Sequence, residues 1–111
     1  MTNEIFSKDK ERRQNEINLI LANKDIPRPM LEAAALALRK AQDYNSGVIT
    51  RNAYFPMGLT SYVQMINVKA LRLVSLISQP GTPNFENARD TLLDLINYAT
   101  FAVEWLDKET K

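Results

Sequence analysis

Asn84-Phe85-Glu86-Asn87-Ala88-Arg89-Asp90-Thr91-Leu92-Leu93-Asp94-Leu95-Ile96-Asn97-Tyr98-Ala99 opens the longest run of the chain free of Gly and Pro. Asn84 is a residue type that caps helices, and Leu92, Leu93, Ile96, Ala99, Val103 and Leu106 recur at helical spacing. The stretch therefore predicts a helix over 84–108 with those six side chains packed inward. Pro80-Gly81-Thr82-Pro83 breaks the chain before it.

Upstream, a helix is expected from Thr60 or Ser61 to about Ser78. Val63, Ile66, Ala70, Leu73, Val74 and Ile77 form one face, and Met65, Val68, Leu71 and Leu76 widen it beyond a single stripe. A helix that is apolar on most sides must be covered on most sides. A lone four-helix domain of this size covers it only in part, so self-association is expected. Residues 45–59, with Gly47, Pro56 and Gly58, read as a loop. Before it, Pro29 suits the first turn of an Ala- and Leu-rich helix ending near Tyr44. The first helix is expected over 7–23, with Ser7 as its cap, Asp9 and Glu11 near its start, and Ile17, Ile20 and Leu21 as its apolar edge. Residues 1–6 and 108–111 are expected to fray. No strand-like alternation, repeat or low-complexity segment is found. The fold class is all-α: one oligomeric four-helix-bundle domain over 1–111.

Composition narrows the chemistry. The 111 residues contain neither Cys nor His. Disulfide frameworks, thiolate zinc sites and His-based triads are therefore excluded. A metal would have to be Mg²⁺ or Mn²⁺ on carboxylates. The net charge of +1 is small for a nucleic-acid binder. No apolar run is long enough to span a membrane, and the N-terminus lacks the order of a signal peptide. A cytoplasmic location is expected.

The sharpest chemical feature is a polar stripe on the last helix. Glu86, Asp90, Asp94 and Asn97 fall within roughly an 80° arc at about 100° per residue. Carboxylates four apart repel on a bare surface and become favourable with a cation between them. Apolar neighbours flank Asp94 and Asn97, so these two need partners. Lys69 and Arg72 are the only charges between Tyr62 and Ile77; they could neutralise Asp90 and Asp94 or hold a phosphate. Lys40, Asp43 and Tyr44 end the second helix, where Tyr44 could stack on a base or simply cover the core edge. Arg51, Asn52, Tyr54 and Phe55 form an aromatic and basic cluster of low specificity. The plain alternative to a ligand site is a solvated stripe with an ion pair from Arg89. The run Lys8-Asp9-Lys10-Glu11-Arg12-Arg13 reads as a solvated helix face.

Lys40-x-x-Asp43-Tyr44, Lys69-x-x-Arg72 and Asp90-x-x-x-Asp94-Leu95-x-Asn97-Tyr98-Ala99 together resemble the small phage and bacterial nucleotide-modification-associated domain. That domain is similar to the all-α MazG-like nucleoside-triphosphate pyrophosphohydrolases. The resemblance spans roughly residues 31–106 and is strongest from Asp90 to Phe101. It implies an oligomeric helical bundle, a phage or mobile-element origin and a nucleotide bound between helices. It further implies Lys40, Lys69 or Arg72 at phosphates, Asn97 at a sugar or base edge, and Tyr98 within the binding set. Asp90 and Asp94, with Glu86, would match the acidic positions that hold Mg²⁺. The family's first metal motif, Glu-Glu-x-x-Glu, is reduced here to Glu32 followed by Ala33, Ala34 and Ala35. Lost carboxylates weaken a Mg²⁺ site, so binding or sequestration of a nucleotide without turnover is expected ahead of Mg²⁺-dependent pyrophosphohydrolysis. A helical interaction module is the third reading.

Overall fold

The computed structural model describes the backbone of residues 2–46, 51–81 and 84–109, and the side chains of 7–41, 53–81 and 84–109. All regular elements among the described residues are helical: α1 (Thr2–Asn23), α2 (Arg28–Ser46), α3 (Arg51–Tyr54), α4 (Leu59–Ile77) and α5 (Phe85–Glu109). The four expected long helices are present. The segment read as a loop over 45–59 contains the single-turn α3, and α1 starts at Thr2. Ser7 therefore lies inside α1 rather than capping it.

Local chemistry explains the boundaries. The Asn84 Oδ1 accepts the Asn87 backbone N–H at 3.1 Å, satisfying one of the free donors at the start of α5. Gly58 precedes α4 at φ 58° and ψ −123°, a conformation open essentially to glycine. Ser61 Oγ accepts the Met57 N–H at 3.0 Å and tightens that entry. α1 ends with Lys24 at φ 55° and Asp25 N–H donating to the Ile20 carbonyl at 3.0 Å, a Schellman-type closure.

α5 is the central element. It packs along α4 as an antiparallel hairpin and against α2 on another side, while α2 also meets the short α3. Among the described residues α1 packs on no other helix. Its Ile17, Leu19, Ile20 and Leu21 are exposed. The bundle within one chain thus has three long helices. The radius of gyration is 17.3 Å, against about 13 Å for a compact chain of this length.

The inward faces differ from those expected. On α5 the interior seam runs through Thr91, Asp94, Tyr98, Phe101 and Trp105, each at least partly buried. Leu93 is buried and Ile96 half-buried, but Leu92, Ala99, Val103 and Leu106 are exposed. On α4, Tyr62 and Leu76 are buried and Ile66, Lys69 and Leu73 half-buried, whereas Val63, Ala70, Val74 and Ile77 are exposed. The aromatic rings decide this orientation. Tyr62 lies 6.0 Å from Phe101 and 5.0 Å from Phe55 between ring centroids. Tyr98 meets Phe55 and Phe101 edge-on, at 6.0 and 6.2 Å. Such rings bury more area than the aliphatic stripe beside them.

Candidate functional site

Asp94 occupies a position on the α5 seam where Tyr98 and Phe101 continue the same face one and two turns later. Lys69 occupies the matching position on α4. The Lys69 Nζ lies 3.1 Å from Asp94 Oδ2. From the other side, the Lys40 Nζ on α2 lies 3.4 Å from Asp94 Oδ1. One carboxylate is therefore shared by two ammonium groups from two different helices. The Asp94 side chain is 19% exposed, Lys69 23% and Lys40 46%. Lys69 is thus held inside while Lys40 reaches in from the rim.

A second tie joins α2 to α5. Arg89 donates to Glu32 at 2.6 Å, and Arg28 approaches the other Glu32 oxygen at 3.4 Å. The hydrogen bond from Arg89 holds the Glu32 carboxyl below the ordinary value of 4.5, and the nearby charges of Arg89 and Arg28 act in the same direction.

Two kinds of space adjoin the triad. A cavity of about 20 Å³ is lined by Lys40, Phe55, Asp94, Asn97, Tyr98 and Phe101, among others, and has room for about one water molecule. Beside it an open groove of about 600 Å³ runs between α2 and α5, walled by Glu32, Arg39, Lys40, Arg89, Asp90 and Asp94 with Ala35, Leu36 and Leu93. That size is in the range of small-molecule sites. Asn97 is 8% exposed and borders the small cavity. Among the described residues no hydrogen bond to its side-chain amide is found.

Of the residues singled out from sequence, Lys40, Lys69, Asp94, Asn97 and Tyr98 come together. Asp90 stands apart on the wall of the open groove, and Glu86 is exposed near the start of α5. Arg72 is exposed and makes no ion pair among the described residues; three residues from Lys69, it is rotated about 60° away from it on the helix. The side chains of Asp43, Tyr44, Arg51 and Asn52 lie outside the described residues. Phe55 belongs to the aromatic tier under the site, and Tyr54 is exposed. Arg89, expected to pair within the acidic stripe, pairs across helices with Glu32. Sequence reading missed Glu32 as its partner and Arg39 as a groove cation. Arg39 is adjacent to Lys40, but that adjacency was no signal until α2 was placed beside α5.

The donors do not suit a Mg²⁺ site. Each oxygen of Asp94 already faces an ammonium group, so a divalent cation there would meet two positive charges at close range. Among the described residues no group of three or more carboxylates is gathered for a metal. No helix of the described residues is long and apolar enough to cross a membrane. The mixed-sign run on α1 is solvated, with Asp9 meeting Arg12 at 3.0 Å and Arg13 at 3.5 Å.

Compared with protein-family models, curated proteins and solved structures, the chain matches none.

Proposed function

We propose that the chain binds a nucleotide or a nucleotide-derived small molecule in the groove between α2 and α5 and holds it without turnover. The observation that supports this reading is the sharing of Asp94 by Lys40 and Lys69. Two ammonium groups share one carboxylate, a net charge of +1 for the triad, while on the groove wall the guanidiniums of Arg39 and Arg89 are balanced by the carboxylates of Glu32 and Asp90. An incoming phosphate competes with Asp94 for Lys40, the more exposed of the two lysines. The cavity behind the triad is too small for a base, so the ligand lies in the open groove.

This arrangement sets a test that separates binding from metal-dependent hydrolysis. Titration calorimetry with nucleoside mono-, di- and triphosphates and cyclic dinucleotides is expected to give heat, with the ligand recovered intact. Lys40→Ala weakens binding about tenfold or more, the worth of one charge-assisted contact. Asp94→Asn removes the competing carboxylate and strengthens binding. In a Mg²⁺-dependent pyrophosphohydrolase the same substitution abolishes activity instead. Absence of heat at millimolar ligand, or weaker binding by Asp94→Asn, overturns the reading.

A further inference from the structure

Beyond the ionic triad α5 runs on for three more turns. Trp105 stands eleven residues past Asp94, roughly 16 Å further along the helix. There a second open cleft of about 500 Å³ lies between the start of α4 and the last turns of α5. It shares no lining residue with the groove between α2 and α5.

The floor of this cleft is aromatic, with Phe55, Tyr62, Phe101 and Trp105 contributed by three successive parts of the fold. Exposed Met57 adds an apolar wall. The indole is held in place: its Nε1 and Cε2 lie where a Cβ of Gly58 would stand. Trp105 is half-buried, and its N–H finds no hydrogen-bond acceptor among the described residues. It is not sealed from solvent either. An indole N–H can only donate, so the vacant partner is an acceptor such as a carbonyl oxygen. The rim has the opposite preference. Glu104, Lys108 and Glu109 are exposed around the mouth and sum to one negative charge. Phosphate is disfavoured there and a basic group is favoured.

We infer that this cleft takes an extended, proline-rich peptide carrying a basic side chain. A polyproline II segment makes no internal hydrogen bonds, so its carbonyls are free to accept from Trp105. Its proline rings lie against aromatic side chains, and its preset backbone loses little freedom on docking. The basic side chain meets the acidic rim. A lone organic cation is served less well. Tyr62 is only 4% exposed and offers no ring face to a cage, and the cleft is open rather than enclosing.

The probe is a blocked, fluorescein-labelled oligoproline peptide with one arginine, titrated with the full chain and read by anisotropy. Binding in the micromolar range is expected, with a change in the emission of Trp105, the only tryptophan. Trp105→Phe keeps a ring and removes the donor, and is expected to raise the dissociation constant about fivefold. Glu109→Lys changes an exposed residue. It is expected to weaken the arginine peptide about threefold and to leave an oligoproline without arginine unchanged. A glycine–serine peptide with the same arginine is expected not to bind, and tetramethylammonium is expected not to compete. The proposal is overturned by a flat anisotropy titration at submillimolar protein, by equal binding of the glycine–serine peptide, by displacement with tetramethylammonium, or by an arginine peptide indifferent to both substitutions.

Discussion

Lys69 stands opposite Asp94 as the ionic level of a hairpin whose aromatic level is Tyr62 opposite Phe101. The two levels are seven residues apart on each helix, two turns down α4 and two turns up α5. The ion pair therefore occupies a position that packing would otherwise give to an apolar pair. Removing one partner leaves the other charge half-enclosed, which costs more than the pair contributes net. Asp94→Ala, which strands Lys69 and frees Lys40, is expected to destabilise by about 2 kcal/mol, and Lys69→Ala by about 1 kcal/mol because Lys40 still serves Asp94. Replacing both with Leu restores part of the loss. Urea unfolding of the four proteins measures it, and an Asp94→Ala protein as stable as the parent would contradict the assignment.

Gly58 carries a second structural requirement. A Cβ at this position would lie 2.6 Å from Trp105 Nε1 and 2.9 Å from Cε2, and the backbone there has φ 58°. The indole ring cannot slip aside as a flexible chain would. Gly58→Ala is expected to cost about 2 kcal/mol or more, combining backbone strain with overpacking. Trp105 is the only tryptophan, so its emission should shift to the red as the ring loses its seat.

Asn84 gives a milder and cleaner substitution. Its side chain caps α5 through the Asn87 N–H and is exposed, so Asn84→Ala removes a hydrogen bond without opening a cavity. The expected loss is about 1 kcal/mol, and Asn84→Asp should retain the cap. Thermal unfolding of both variants checks this.

The Glu32–Arg89 tie makes the α2–α5 junction sensitive to acid. The Glu32 carboxyl titrates below its ordinary 4.5, first because Arg89 donates a hydrogen bond to it. A depressed folded value means the contribution is whole above the unfolded value and is lost as pH falls through the folded one. The parent should therefore lose stability below about pH 4.5 more steeply than Glu32→Gln, whose side chain does not titrate. Parallel acid curves for the two proteins would dismiss the tie as a stabilising element.

Much of the architecture was written locally. The break at Pro80-Gly81, the cap at Asn84 and the Ala-rich run before Tyr44 each act within a few residues, so helix positions could be read directly. The need of Asp94 and Asn97 for partners was legible from their apolar neighbours, and Lys69 was identified as a candidate because so few charges interrupt α4. The choice of inward face was not legible. On α5 two stripes share helical periodicity: the aliphatic Leu92, Ala99 and Val103, and the mixed Thr91, Asp94, Tyr98, Phe101 and Trp105. Aliphatic residues look like the core when a carboxylate interrupts the competing stripe. Only the aromatic contacts across helices, which involve residues distant in sequence, decide between them. The isolation of α1 was hidden for the same reason, since Ile17, Ile20 and Leu21 specify an apolar edge and not what meets it.

Because α5 alone grips both α2 and α4, the order of assembly is constrained. The α4–α5 pair joins neighbours in sequence through a short turn, so it closes at little entropic cost. α2 reaches its two ionic anchors, Arg89 and Asp94 on α5, across a longer stretch of chain, so it is expected to dock after that pair. The groove that α2 helps to wall is thus expected to form last and to open first, by a partial undocking that leaves the central hairpin intact.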